Sequence, residues 1–368
     1  MNRCPEPRSS AAARRKLRCY ATATTPESSA NANRDCSILF ISSFRFIALV
    51  ASPRESYRDR MTNQAPIQSG FGARSTATEV LGGRSLEGTI AIVTGGYAGI
   101  GLETTRVLAG AGSTVIVPAR SHDKARAALA GVPRVELASM ELMDPASVDA
   151  FAAAFLASGR PLHLLINNAG IMAAPLERDA RGFESQLATN HVGHFQLTVR
   201  LVPALRRAAG ARVIALSSRG HQRSPVDFED PHFHHRPYDR WIAYGQSKTA
   251  NALFARGLDA RGAADNIRSF AVHPGGIITE LSRHMTKEEL ATTAATVRGG
   301  LKTPEQGAAT TVWAATSPKL ADMGGVYCED CDIANAVPAD FAEGYGVKPW
   351  ACDPALADRL WTLSESWL

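Results

Sequence analysis

The sequence of 368 residues predicts an α/β protein with a single doubly wound parallel sheet and helices on both faces. Three observations carry that prediction. Short apolar runs alternate with Ala-rich stretches of helical length from residue 89 to residue 328. The apolar runs are continuous, as in strands covered on both faces. A glycine-rich turn, "TGGYAGIG" at 94–101, separates the first apolar run from the first helical stretch, in the order of a βαβ unit.

The elements follow in order. "TIAIVTG" (89–95) is a buried strand entering the turn, and "IGLETTRVLAGAG" (100–112) is a helix closed by glycine. "STVIVPAR" (113–120) is the second strand, followed by helical residues at 122–130, a short strand at "RVELA" (134–138) and a helix from Pro145 to Ser158. "LHLLINNAG" (162–170) is a strand, Gly182 to Ala209 one long helix, and "RVIALSS" (212–218) the fifth strand. A helix at 241–262 precedes the sixth strand, "IRSFAVHPG" (267–275). A late helix at 303–316 and a last strand at "GGVYC" complete the pattern. No repeat or linker splits this stretch, so one domain spans 85–368 behind a polar lead-in at 61–84.

Charge separates the first 60 residues from the rest. They hold 11 basic and 5 acidic side chains, while the remaining 308 hold 29 and 30. The basic pI belongs to that segment, and the body gives no electrostatic reason to expect nucleic acid. The segment is rich in Arg, Ser and Ala, and its one apolar run (36–51) is broken by Arg45. That run is short of the ~20 residues a membrane span needs. A transit peptide, a weak anchor and a translation start at Met61 all fit; the last is favoured, with residues 1–60 expected to be disordered. The body has three cysteines, Cys328, Cys331 and Cys352, which suggests a reducing compartment and a cytoplasmic protein. Cys328 and Cys331 form a lone C-x-x-C with no second pair for zinc and are read as loop residues.

Chemistry gathers at the strand ends. Gly95, Gly99 and Gly101 let backbone N–H groups approach a pyrophosphate at a helix N-terminus, with Tyr97 and Ile100 in the same turn. The second strand ends in Ala119 and Arg120, where a carboxylate would select NAD(H). Arg120 suits a 2′-phosphate, so NADP(H) is expected. In "WIAYGQSKTANALF", Tyr244 and Lys248 lie one helical turn apart. An ammonium there is expected to lower the phenol pKa and make Tyr244 a proton shuttle.

With these motifs, and with "NNAG" (167–170), "TNHVGHF" (189–195), "ALSS" (215–218) and "HPGGIITEL" (273–281), the chain resembles the short-chain dehydrogenase/reductase family, within it the branch of retinol dehydrogenases and protochlorophyllide reductases. The resemblance implies a Rossmann fold and a catalytic tetrad of Asn190, Ser218, Tyr244 and Lys248. Tyr244 is then general acid or base, Lys248 lowers its pKa and binds the nicotinamide ribose, Ser218 polarises the substrate oxygen, and Asn190 holds a water. Ser217 is the neighbouring alternative to Ser218. Asn168, Ala169 and Gly170 are placed on the adenosine side, Pro274, Gly275 and Thr279 on the nicotinamide side, and Glu141 at the adenine. Family members also dimerise or tetramerise through the helices near 182–209 and 241–262.

The substrate is expected to be a small, apolar carbonyl or alcohol compound. The aromatic and His-rich stretch 219–241 is expected to wall its pocket, and 276–302 to supply a mobile lid. His232, His234 and His235 lack the partners of a metal site, and no metal is expected. The alternatives are a non-catalytic protein that binds the nicotinamide nucleotide or scaffolds a partner, and reduction of a C=C bond by the same Tyr/Lys pair.

Overall fold

The computed structural model describes residues 64–297 and 299–368. The expectations for residues 1–60 lie outside them. One eight-stranded sheet runs in the order β3-β2-β1-β4-β5-β6-β7-β8. Its strands are β1 (Ile90–Val93), β2 (Thr114–Ala119), β3 (Val135–Ser139), β4 (Leu164–Asn167), β5 (Ala211–Leu216), β6 (Ile267–His273), β7 (Val326–Glu329) and β8 (Asp332–Ile333). All pairs from β3 to β7 are parallel. From β1 the chain winds outward to β2 and β3, then returns to place β4 on the other side of β1. A crevice opens above the carboxyl ends of β1 and β4, where ligands bind in open α/β sheets.

Both faces are covered, as the unbroken apolar runs require. β4 is buried along its whole length. One core holds Ile92, Leu165, Phe195, Leu201 and Phe254. The other holds Val93, Leu108, Ile166, Phe270 and Trp313. Side chains set the helix starts. Asp239 accepts from the backbone N–H groups of Trp241 and Ile242 and starts the helix Arg240–Gly262. Thr303 and Gln306 form a reciprocal capping box ahead of Pro304.

Four features depart from the expected elements. β8, which was not expected, pairs antiparallel with β7, so Cys328 lies on the strand expected at "GGVYC" and Cys331 in a hairpin turn. Both are buried, and Asp330 and Cys331 turn the chain with φ of 49° and 61°. The long helix divides into Ser185–Leu187, a π-helical turn Ala188–Val192, and Gly193–Arg207. The lead-in is structural. A capped helix, Ala77–Leu81, buries Ala77, Val80 and Leu81, and Gln64 is docked on the far sheet edge. The Gln64 side chain accepts from Tyr327 N–H and donates to the carbonyls of Tyr327 and Ala334, as a strand peptide would. Finally, two C-terminal helices, Pro349–Cys352 and Pro354–Glu365, pack beside the Tyr244 helix.

Candidate active site

Every predicted site residue except Gly101 and Asn190 lines one cleft of about 1160 Å³ above the sheet crossover. Tyr244 reaches it from the first turns of the long helix, and Ser218 from the end of β5. The Ser218 hydroxyl hydrogen-bonds the phenol. The Ser217 hydroxyl is committed elsewhere, donating to the Lys248 carbonyl at 2.7 Å, which separates the two serines. A Cβ on Gly220 would sit 2.7 Å from the Tyr244 ring, so glycine there makes room for the phenol.

Lys248 Nζ donates to the Leu216 carbonyl at 2.9 Å and lies 5.6 Å from the Tyr244 ring centroid. Burial holds the Lys248 ammonium down at about 8. The expected lowering of Tyr244 is not found. Burial pushes the phenol up to about 12, with only the Ser218 hydrogen bond pulling it down. In so apolar a wall, the loss of hydration outweighs the neighbouring charge.

Asn190 sits in the π-helical turn. Its Oδ1 accepts from Ile171 N–H at 2.8 Å, and its Nδ2 donates to the Ile171 carbonyl and to Ser247 Oγ. A Cβ on Gly170 would lie 3.0 Å from Asn190 Oδ1 and 3.6 Å from Lys248 Nζ, so these three groups meet. Thr94 and His194, which the motifs contain but the sequence reading passed over, tie this corner together. Thr94 Oγ1 accepts from Asn168 and Ala169 N–H, both at 2.9 Å, and lies 2.8 Å from His194 Nε2. His194 Nδ1 lies 3.0 Å from the Asn190 carbonyl, and burial keeps the imidazole neutral, down at about 4.

His221 was also missed. Its Nε2 accepts from Lys348 N–H at 3.2 Å, so Nδ1 carries the proton and donates to the Ser218 carbonyl at 2.7 Å. The Tyr327 hydroxyl is 3.1 Å from the same nitrogen. This buried imidazole holds the Ser218 backbone against the C-terminal segment.

The glycine turn forms a cradle suited to a dinucleotide. The helix Gly99–Gly110 begins at Ala98 with no side-chain cap, which leaves its first N–H groups for an anion. A Cβ on Gly99 would stand 3.3 Å from the Thr279 side chain, and one on Gly101 would stand 2.4 Å from the Gly95 carbonyl oxygen. The buried Thr189 hydroxyl in the cleft wall has no hydrogen-bond partner among the described residues. Arg120 reaches the rim, largely exposed, and pairs with Glu141 at 3.2 Å.

The substrate side differs from expectation. From 219–241, only Arg219, Gly220, Arg223 and Trp241 reach the cleft. The His-rich part folds away. His232 stacks on Phe183 with ring centroids 4.2 Å apart, and the Asp230 carboxylate accepts from the N–H groups of His234, His235 and Arg236. No group of three His, Cys, Asp or Glu side chains is arranged for a metal among the described residues. The stretch 276–302 does line the cleft, through a 3-10 turn Glu280–His284 and a helix Lys287–Thr296.

Comparison with known proteins agrees with this geometry. The family model described as short chain dehydrogenase matches residues 89–290. The chain is 46% identical over 289 residues to a probable oxidoreductase of Streptomyces lividans, spanning 75% of this chain and 96% of that one. It is 36% identical over 285 residues to human retinol dehydrogenase 12, spanning 76% and 86% of the two chains. Among solved structures, the Pseudomonas aeruginosa RhlG/NADP active-site complex is similar with a TM-score of 0.56 and 27% identity, covering 67% of this chain and 95% of that one.

Proposed function

The chain belongs to the short-chain dehydrogenase/reductase family, and we propose that it transfers hydride reversibly between NADP(H) and an apolar carbonyl or alcohol compound. The observation that carries this reading is the meeting of Ser218, Tyr244, Lys248 and Asn190 around one cleft beside the glycine cradle. When bound, the nicotinamide supplies or accepts the hydride. Gly95, Tyr97, Gly99, Ile100 and Gly101 would hold the cofactor's pyrophosphate side, Asn168, Ala169 and Gly170 its adenosine, and Pro274, Gly275 and Thr279 its nicotinamide end.

The proton is the protein's part. Tyr244 stays protonated across the neutral range, since burial pushes its phenol up to about 12. It is therefore poised to donate to a substrate oxygen, which suits carbonyl reduction. Ser218 orients that oxygen from the other side. Lys248 would refill the phenol by way of the ribose and of a water beside Asn190. Stabilising the charge that develops on the reacting oxygen is where such preorganised donors contribute most.

NADP(H) is favoured because the end of β2 offers Arg120 and no carboxylate. The Arg120–Glu141 pair is at the surface and is worth ~0–1 kcal/mol. A dianionic 2′-phosphate can recruit that guanidinium with little loss. The apolar substrate body is supported by Met172, Trp241, Met285 and Leu290 in the cleft wall, and by the name of the retinol dehydrogenase relative. Fluorescence titration tests the cofactor reading. NADPH is expected to bind at least tenfold more tightly than NADH, a gap of ~1.4 kcal/mol. Equal affinities would overturn the NADP(H) preference. Tyr244→Phe should keep NADPH affinity within about twofold and lose at least a hundredfold in turnover. Unchanged turnover would remove Tyr244 from the proton transfer, and absence of turnover in the native protein would favour a non-catalytic binding role.

A further inference from the structure

The residue after the serine is a cation without a counter-charge among the described residues. Arg219 lines the cleft directly beside Ser218 and is half-buried. Its guanidinium rests over the backbone of Gly344, with Nη1 3.2 Å from where a Cβ on that glycine would stand. No carboxylate among the described residues pairs with it, and the charge that bears on it is another cation, Arg223.

Other basic groups of the cleft are engaged. Lys302 pairs with Asp330 at 2.6 Å, Lys124 with Glu280 at 2.7 Å, and Arg120 with Glu141 at 3.2 Å. Arg223 lies over the Trp241 ring, 5.1 Å from its centroid. The Glu329 carboxylate, also in the cleft wall, accepts from Gly346 N–H. His273 beneath is held neutral by burial and by Lys302, and its Nδ1 is occupied by the N–H groups of Arg219 and Gly275. A half-buried guanidinium with no anion costs free energy that a ligand carboxylate would recover, and its planar fork matches a carboxylate in bidentate fashion.

We propose that the substrate carries a carboxylate, held by Arg219 with Arg223 behind it, at the end of the apolar body whose carbonyl faces Ser218 and Tyr244. This rests on the hydride-transfer reading of the same cleft and adds the substrate's charge to it. The body lies along the apolar wall while the anion anchors one end. Such a two-ended grip fixes which carbonyl of a larger molecule is presented to Tyr244.

Matched probes test it: 4-formylbenzoate and its methyl ester, which share the aldehyde and differ in charge. Their dissociation constants are measured by calorimetry on the NADP⁺-saturated protein, native, Arg219→Met and Arg219→Lys. The acid is expected to bind at least tenfold more tightly than the ester. That preference should vanish in Arg219→Met and return in part in Arg219→Lys, whose fold checks the substitution. An ester that binds as well as the acid, or a preference that survives Arg219→Met, overturns the proposal. NADPH turnover of the same two compounds is read separately. A binding preference without turnover supports the carboxylate site and counts against hydride transfer.

Discussion

At Lys248 an ammonium is sealed in the cleft wall, donating to the Leu216 carbonyl and held down at about 8 by burial. Tyr244 beside it keeps its proton up to about 12. As pH rises, the Lys248 charge is therefore lost first, while the phenol is still protonated. The kcat for carbonyl reduction should hold from about pH 6 to about 8, then fall toward tenfold per unit as Lys248 deprotonates. A profile flat to about pH 10 would assign proton supply to another group. Spacing made Tyr244 and Lys248 legible, because one turn of helix fixes their relation whatever surrounds them. It could not give the sign of the tyrosine shift, which depends on how dry the tertiary structure makes the site. His221 was illegible for a related reason. Nothing near it in sequence reveals its partner, Lys348, which is 127 positions away.

Among the elements, the seven strands from β1 to β7 were readable because burial on both faces makes their apolar runs continuous. β8 has two residues, too few to show any period. The π-helical turn was hidden because its cause is tertiary. The Thr94–His194–Asn190 contacts and the tight seat of Gly193 against Leu142 favour the extra residue in that turn. The strand–turn–helix unit carries its own test. A Cβ on Gly101 would press on the Gly95 backbone and on Asn168 Nδ2, each at 2.4 Å. The Gly95 carbonyl cannot swing away without opening the turn, and Asn168 would have to give up its hydrogen bond to the Thr94 carbonyl. Gly101→Ala should cost ~1–3 kcal/mol in denaturant unfolding, with weaker NADPH binding. Unchanged stability would show that the turn spreads freely.

At the scale of the molecule, one of the two helices expected to meet a second subunit is covered within the chain. No residue from Trp241 to Gly262 is exposed. Trp361 of the C-terminal helix stacks on Phe254 and meets Phe195 edge-on, with centroids 6.2 and 5.0 Å away. The C-terminal helix thus covers the aromatic side chains of this face within the chain. We therefore expect a monomer in sedimentation equilibrium, against the dimer or tetramer the family pattern suggests. A stable dimer would require a different surface. This too was beyond the motifs, which stop well short of residue 354.

The docking of Gln64 reaches into how the protein is made. Its amide stitches the sheet edge at Tyr327 and Ala334, 263 and 270 positions downstream. During synthesis that edge cannot be closed until nearly the whole domain has left the ribosome. Contacts of such sequence separation slow folding, so Gln64 waits without its partners through most of translation for a strand that is made near its end. The late interval before this clasp forms is when a chaperone would find its purchase.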